Sequence, residues 1–233
     1  MIYSFLQNGD SAVTIQFENK ISEDVNRRVT GLCNTIEAKG INGVIELVPT
    51  FASLTVFYDC TIISSKRLKK KIKALINDGE HSVKSKAIVW NIPVCYDDEF
   101  APDMENVCNH TSLEKEEVIR LHTSKPYLIY MLGFLPGFAY LGGMDERLFT
   151  PRLKTPRLEI FEGAVGIGSE QTGIYPIASP GGWQLIGKTP VKVFDKSKES
   201  PILYKAGDYI KFFSIDKAEF TEIEKQVENG AYT

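Results

Sequence analysis

Residues 133–190 constrain this chain more than any other stretch. They read GFLPGFAYLGG, then TPRLKTPR, then QTGIYP, then SPGGWQLIGKTP. This quarter of the chain holds more than half of its glycines and prolines. Glycine permits φ > 0 and close backbone approach, and proline fixes φ. Interleaved with them stand Phe134, Phe138, Tyr140, Tyr175 and Trp183, which supply broad apolar walls with polar handles. A linker has little use for two arginines, a glutamine and a tryptophan among its turns. The pattern therefore predicts rigid turns that shape a pocket.

The chain on either side falls into two styles. Residues 12–17 (AVTIQF) alternate as a half-buried strand does. Residues 22–39 read as a helix, with Glu23 and Asp24 in its first turn and Val25, Val29, Leu32, Cys33 and Ile36 at helical spacing. Gly40 and Gly43 end it. Strands follow at 44–48 and 53–58, a helix at 64–76 and a strand at 87–94. The order βαββαβ is a split βαβ pattern, so residues 1–95 are expected to form a small α+β domain. From residue 96 to 233 the style changes. A capping box of Thr111 with Glu114 predicts a helix over 111–123. Short β-like runs at 127–132, 159–161, 164–167, 183–186, 191–194 and 209–213 predict a sandwich or barrel. Residues 216–229 read as a closing helix.

Composition excludes several classes. Against 27 Lys and Arg stand 30 Asp and Glu, a net charge of −3, so there is no chain-wide footprint for nucleic acid. No apolar run approaches a membrane span, and residues 1–10 lack the basic and apolar regions of a signal peptide. A cytoplasmic protein without a membrane or nucleic-acid partner is expected. Cys33, Cys60, Cys95 and Cys108 show no metal or redox spacing and are read as free thiols, and no metal is predicted. The cation-rich helix SKRLKKKIKALI is read as a solvated face.

Three motifs invite a chemical reading. Gly182 to Thr189 satisfies the Walker A pattern, but Pro180 precedes it, Pro190 follows, and its middle is bulky and β-favouring. It is read as a strand leaving a glycine turn, with Lys188 at most a single charge for a phosphate. Gly163, Gly166 and Gly168 are strand glycines in the wrong order for a dinucleotide loop. Thr150-Pro151-Arg152 and Thr155-Pro156-Arg157 repeat within a stretch that prolines hold extended. Arginines five apart on an extended chain face opposite ways, so one can meet a pocket while the other goes elsewhere. The alternatives are an anion clamp or ion pairs with acids such as Glu159 or Glu162. His122 is a weaker candidate.

These blocks together resemble the KipI/PxpB family, also called allophanate hydrolase subunit 1. Gly9-Asp10-Ser11-Ala12, Val48-Pro49-Thr50-Phe51-Ala52-Ser53-Leu54 and Ile92-Pro93-Val94-Cys95-Tyr96 extend the resemblance over nearly the whole chain. It implies an N-terminal α+β domain and a C-terminal cyclophilin-like β-barrel. It also implies one subunit of a bacterial ATP-dependent 5-oxoprolinase that opens 5-oxo-L-proline to L-glutamate, with ATP acting in the complex and PxpA-like and PxpC-like subunits as partners. The alternatives within the family are a KipI-like inhibitor of a sporulation histidine kinase and a subunit related to allophanate or urea-amide hydrolysis. Carried over residue by residue, the pocket motifs fall on Pro136, Gly137, Phe138, Tyr140, Arg152, Arg157, Gln171, Thr172, Tyr175, Ser179, Gly181, Gly182 and Trp183. Arg157 or Arg152 is the candidate for an anion, Gln171 for an amide, Trp183 with Phe138 for the apolar wall, and Tyr140, Tyr175 and His122 for proton handling. Two departures from the family pattern stand out: Gly168-Ser169 where Ala-Gly is usual, and Lys188 where Arg is frequent.

Overall fold

Alternation along two central strands builds the first sheet. The computed structural model describes residues 3–20, 22–78 and 87–231, and the chain divides into two compact units, Met1–Lys86 and Ala87–Thr233. The first unit runs β1 (Ser4–Asn8), β2 (Ala12–Gln16), α1 (Glu23–Lys39), β3 (Val44–Pro49), β4 (Ser53–Tyr58) and α2 (Ser65–Asp78). Its strands form an antiparallel sheet in the order β1-β2-β4-β3. The register pairs Val13 with Val56 and Ile15 with Leu54. These four share a core with the helix stripes Val25, Val29, Leu32, Ile36 and Leu68, Ile72, Ile76. Thr14 and Thr55, one position out of phase, share a hydrogen bond of 2.8 Å. Ser22 caps α1 by accepting from the Val25 amide at 3.2 Å. Gly40 ends the helix in the left-handed region at φ +53°.

The second unit runs β5 (Val89–Cys95), α3 (Met104–Thr111), α4 (Lys115–His122), β6 (Tyr127–Leu132), β7 (Ala139–Gly142), β8 (Arg157–Ile160), β9 (Ala164–Gly168), β10 (Gln171–Ile174), β11 (Ser179–Gly181), β12 (Gln184–Lys188), β13 (Tyr209–Ile215) and α5 (Lys217–Glu228). Seven strands close a barrel in the order β10-β7-β6-β13-β5-β12-β9, and β8 with β11 forms a separate ribbon. The hairpin of β9 and β10 completes the ring. Inside it lie Ile92, Val94, Ile129, Leu141, Val165, Ile167, Ile174, Ile186, Ile210 and Phe212, with Val107, Val118 and Leu121 from α3 and α4 packed into the same core. The fold is thus α+β with a closed barrel.

Three expectations are corrected. The strand expected at 87–94 does not close the first domain. It is β5, paired in parallel with β13 along its whole length, from Tyr209 with Val89 to Ile215 with Cys95. The first unit is therefore ββαββα, and the boundary expected after residue 95 falls at 86/87. A parallel pair needs a long crossover, and here the crossover is most of the barrel unit. Asp208 pins the start of this pairing, accepting from the Ile88 amide at 3.1 Å and the Trp90 indole at 3.2 Å. The helix expected at 111–123 starts later, as α4 at Lys115, and a separate helix, α3, precedes it and ends at Thr111. Thr111 ends α3 and donates back to the Val107 carbonyl at 2.7 Å, so it opens no capping box. Ser112 turns the chain at φ +56° and Glu114 precedes α4. Residues 191–194 form no strand. Phe194 makes only an isolated bridge to Ile202. The closing helix α5 carries a full capping box of Asp216 with Glu219. All four cysteines are free.

Candidate functional site

The glycine-, proline- and aromatic-rich blocks converge on one hollow of about 220 Å³. Phe134, Phe138, Tyr140, Arg152, Pro156, Tyr175, Pro180, Gly181, Gly182 and Trp183 line it. Phe138 is the hub. Its ring meets Tyr140 at 5.0 Å, Tyr175 at 5.2 Å, Trp183 at 5.4 Å and Phe134 at 5.5 Å, each edge to face. This is the arrangement that the ring quadrupole favours. Phe138, Tyr175 and Trp183 are buried, whereas Phe134 at the mouth is 60% exposed. Phe134 also holds φ +66°, an uncommon conformation for a bulky residue and one that clusters at functional loops. Burial pushes the Tyr175 phenol above its ordinary pKa, and nearby Arg152 only partly offsets this. Tyr175 is therefore a neutral hydroxyl at physiological pH.

Arg152 is the pocket's one lining cation. Its guanidinium carbon lies 5.8 Å from the Trp183 ring centroid, and it makes no ion pair among the described residues. Two hydrogen bonds fix the backbone on either side of it. Gln184 donates to the Pro151 carbonyl at 2.9 Å, and the Leu153 amide donates to the Gly182 carbonyl at 2.7 Å. A planar cation over an indole, without a carboxylate partner, is suited to an anion carried by a ligand.

Arg157 goes elsewhere. At the start of β8 it donates to Asp103 at 2.6 Å. Asp103 is 3% exposed and also accepts from the Leu185 amide at 2.6 Å. The expected partners Glu159 and Glu162 are replaced by this buried acid at the head of α3. The second terminal nitrogen of Arg157, Nη1, is buried without a partner. Arg157 thus ties the ribbon strand β8 to α3 and β12, and it does not line the pocket.

The barrel interior holds His122 and Thr172. Thr172 Oγ1 donates to the Gly166 carbonyl at 3.0 Å. With its one proton used, it accepts from His122 Nε2–H at 2.8 Å. Nδ1 is then the bare nitrogen and accepts from the Tyr96 hydroxyl at 2.7 Å. The ring stacks on Phe212 at 4.7 Å, and burial pulls its pKa down to about 3. His122 is a neutral, fully satisfied core residue and does not reach the pocket.

The remaining candidates scatter around these two centres. Gly137 turns at φ +82° and its carbonyl accepts from Tyr204 at 2.9 Å, while neighbouring Pro136 is exposed. Neither lines the hollow. Gln171 opens β10 with its Nε2 buried and unpartnered, and Ser179 Oγ is likewise buried and unpartnered. Lys188 extends away from the pocket, its ammonium 5.2 Å from Phe220, 5.5 Å from Phe100 and 5.9 Å from Phe161, with Glu224 at 3.8 Å. Residues 184–188 are strand β12, so the Walker-like string forms no phosphate loop. The sequence named Phe134 as part of the apolar wall, but reading it missed Pro156 and Pro180 in the lining, and Gln184 and Asp103 as supports. Their signal lay in long-range partners. Among the described residues no cluster of three or more His, Cys, Asp or Glu could hold a metal ion.

Comparison with known proteins places this geometry in a family. The chain matches the family described as Carboxyltransferase domain, subdomain C and D, over residues 3–204. It is 43% identical to the 5-oxoprolinase B subunit of Bacillus subtilis (strain 168), covering 94% of this chain and 95% of that protein. It is 35% identical to the 5-oxoprolinase B subunit of Escherichia coli O157:H7, covering 88% and 92%. Among solved structures, TTHA0988 superposes with a TM-score of 0.77 at 34% identity, covering 88% of this chain. This chain spans 40% of TTHA0988's length. The chain belongs to the carboxyltransferase subdomain C and D family, in the company of the bacterial 5-oxoprolinase B subunits.

Proposed function

We propose that this chain is the B subunit of an ATP-dependent 5-oxoprolinase and that the aromatic hollow takes 5-oxo-L-proline. One observation carries the reading: Phe138, Tyr140, Arg152, Tyr175, Gly181, Gly182 and Trp183, drawn from separate sequence blocks, line a single small pocket. The substrate is a compact ring with one carboxylate and one ring amide. Arg152 binds the carboxylate, Trp183 and Phe138 face the ring's methylenes, and the neutral Tyr175 hydroxyl is a hydrogen-bond donor. Relatives named as 5-oxoprolinase B subunits at 35% and 43% identity support the same reading.

ATP does not fit this pocket. Small-molecule sites generally run from about 300 to 1,000 Å³, and phosphates are cradled by open backbone amides. Here the hollow is about 220 Å³ with one cation, and the glycine-rich string is a paired strand. The nucleotide then acts in the assembled complex with two partner subunits.

Glutamate release from 5-oxoproline plus ATP, with this chain alone and mixed with its two partner subunits, tests the proposal. Release only in the mixture supports a subunit role. A folded, assembled mixture without release overturns it and favours inhibition of a histidine kinase.

A further inference from the structure

Helix α2 carries Lys66, Arg67, Lys69, Lys70, Lys71 and Lys73, half of the cations in residues 1–86. Its apolar stripe of Leu68, Ile72 and Ile76 is buried in the core. What remains is a face of one sign. None of the six cations has an ion pair among the described residues, and the first turn of α2 holds no acid. Lys66 with Lys70, Arg67 with Lys71 and Lys69 with Lys73 stand one turn apart, where like charges repel. Lys66 and Arg67 also lie at the positive end of the helix dipole. A surface that is merely solvated mixes its signs. Folding leaves this conflict unrelieved, which is the mark of a site where function overrides local stability.

Beside this face runs an open sheet edge. Among the described residues β1 pairs with β2 alone, so one row of its backbone N–H and C=O groups faces outward. Edge strands are usually blunted by proline or charge, and SFLQN has neither. Ser65 Oγ donates to Gln7 Oε1 at 2.6 Å, which holds the start of α2 to β1. Further along the helix, Lys69, Lys70 and Lys73 line a trough of about 450 Å³ with Tyr3, Ser4 and Phe5. Tyr3 and Phe5, edge to face at 5.7 Å, supply its apolar side.

We propose that this trough binds an extended acidic segment of a partner protein. The segment adds to the β1 edge as a strand, and its carboxylates meet Lys69, Lys70 and Lys73. Unpaired backbone groups recognise another backbone, alternate side chains reach the aromatic pair, and the cations select acids. An anionic membrane does not pair with a strand edge, and the apolar residues of α2 that could enter one are buried. A nucleic acid offers no main chain of this kind. The proposal is independent of the aromatic hollow.

The test uses the full chain and a fluorescein-labelled, alternating Glu-Val decapeptide, with binding read by anisotropy. Lys69→Glu/Lys70→Glu/Lys73→Glu is expected to weaken binding about tenfold or more. Lys69→Gln/Lys70→Gln/Lys73→Gln, a milder change for folding, should fall between that variant and wild type. Lys192→Glu/Lys196→Glu/Lys198→Glu alters net charge equally in the other unit and is expected to bind within about twofold of wild type. Added salt should weaken the wild-type complex and leave the reversed variant little changed. An alternating Glu-Pro decapeptide has the same charge but lacks half the ladder donors, and should bind about tenfold more weakly than Glu-Val. Hydrogen exchange over Ser4–Asn8 should slow when the Glu-Val peptide is bound. Equal binding of the two peptides would overturn strand addition, and equal losses in the two Glu variants would overturn the location. Tighter binding to phosphatidylserine vesicles or to oligothymidine, lost in the same variant, would overturn the choice of partner. No binding by folded wild type would end the proposal.

Discussion

His122 and Arg152 both sit among aromatic rings, yet their surroundings differ in one respect that decides their roles. His122 is fully buried between Tyr96, Tyr127 and Phe212, and both ring nitrogens have partners. Arg152 is exposed over Trp183 at a pocket mouth, and no carboxylate answers it among the described residues. Burying a polar group is tolerated when its hydrogen bonds are complete. An exposed cation on an aromatic wall leaves its strongest interactions for something else to make. The same contrast separates the two Thr-Pro-Arg arginines. Arg157 is answered by the buried Asp103, and Arg152 is not.

The comparison breaks most visibly in acid. The His122 pKa in the folded state is about 3, far below an ordinary histidine, because burial penalises the charged ring. The unfolded chain therefore takes up the proton first. This contribution to stability is complete above about pH 6.5 and is lost as pH falls from there towards 3, at up to about 1.4 kcal/mol per unit. Urea unfolding at several pH values is expected to show that slope in wild type and a shallower one in His122→Gln. Equal slopes would mean that His122 is not buried as a neutral ring.

Arg157→Ala is expected to act next most strongly, and on stability. Removing one member of a buried pair strands Asp103, costing about 3 kcal/mol, the low end of the usual range because Arg157 is partly exposed. Denaturant midpoints measure this. A fully stable but inactive Arg157→Ala would return Arg157 to the ligand site and undo the distinction between the arginines.

Arg152→Ala sharpens the same distinction with the smallest change in fold. It is expected to lower kcat/KM of the assembled complex by about 2 kcal/mol of lost charge-assisted contact, roughly thirtyfold. Stability should fall by no more than about 1 kcal/mol, the worth of an exposed cation–π contact. Arg152→Lys should recover only part of the activity, because an ammonium lacks the planar fork.

Legibility in the sequence followed the range of the interaction involved. The α1 helix was readable from its cap, its acidic first turn and its apolar stripe, all within a few residues of one another. Strands β2, β3, β4, β6, β9 and β13 were readable from alternation and composition. Strands β1, β7, β10 and β11 were not, because they are short or partly exposed and are defined by the strands beside them. Thr111 and Glu114 spell a capping box, but the αL turn at Ser112 separates them into two helices. The aromatic wall was readable as residue types before any geometry was known, since glycine, proline and aromatic residues in one stretch restrict what it can build.

What this sequence determined by itself was local: where the chain turns, which faces are apolar, and that residues 133–190 form walls rather than a helix or a linker. Tertiary structure alone decided the rest. The sequence marks residues 87–94 as a strand but names no partner, and the pairing of Val89–Cys95 with β13 settled to which unit they belong. Proline spacing separated the directions of Arg152 and Arg157, but only the arrival of Asp103 from α3 decided which one remained for the pocket. Nothing local shows that the indole of Trp183, further along the chain, folds back onto the backbone of Gly168. Local propensity acts over a few residues, whereas hydrogen-bond satisfaction and close packing are settled only when distant segments meet.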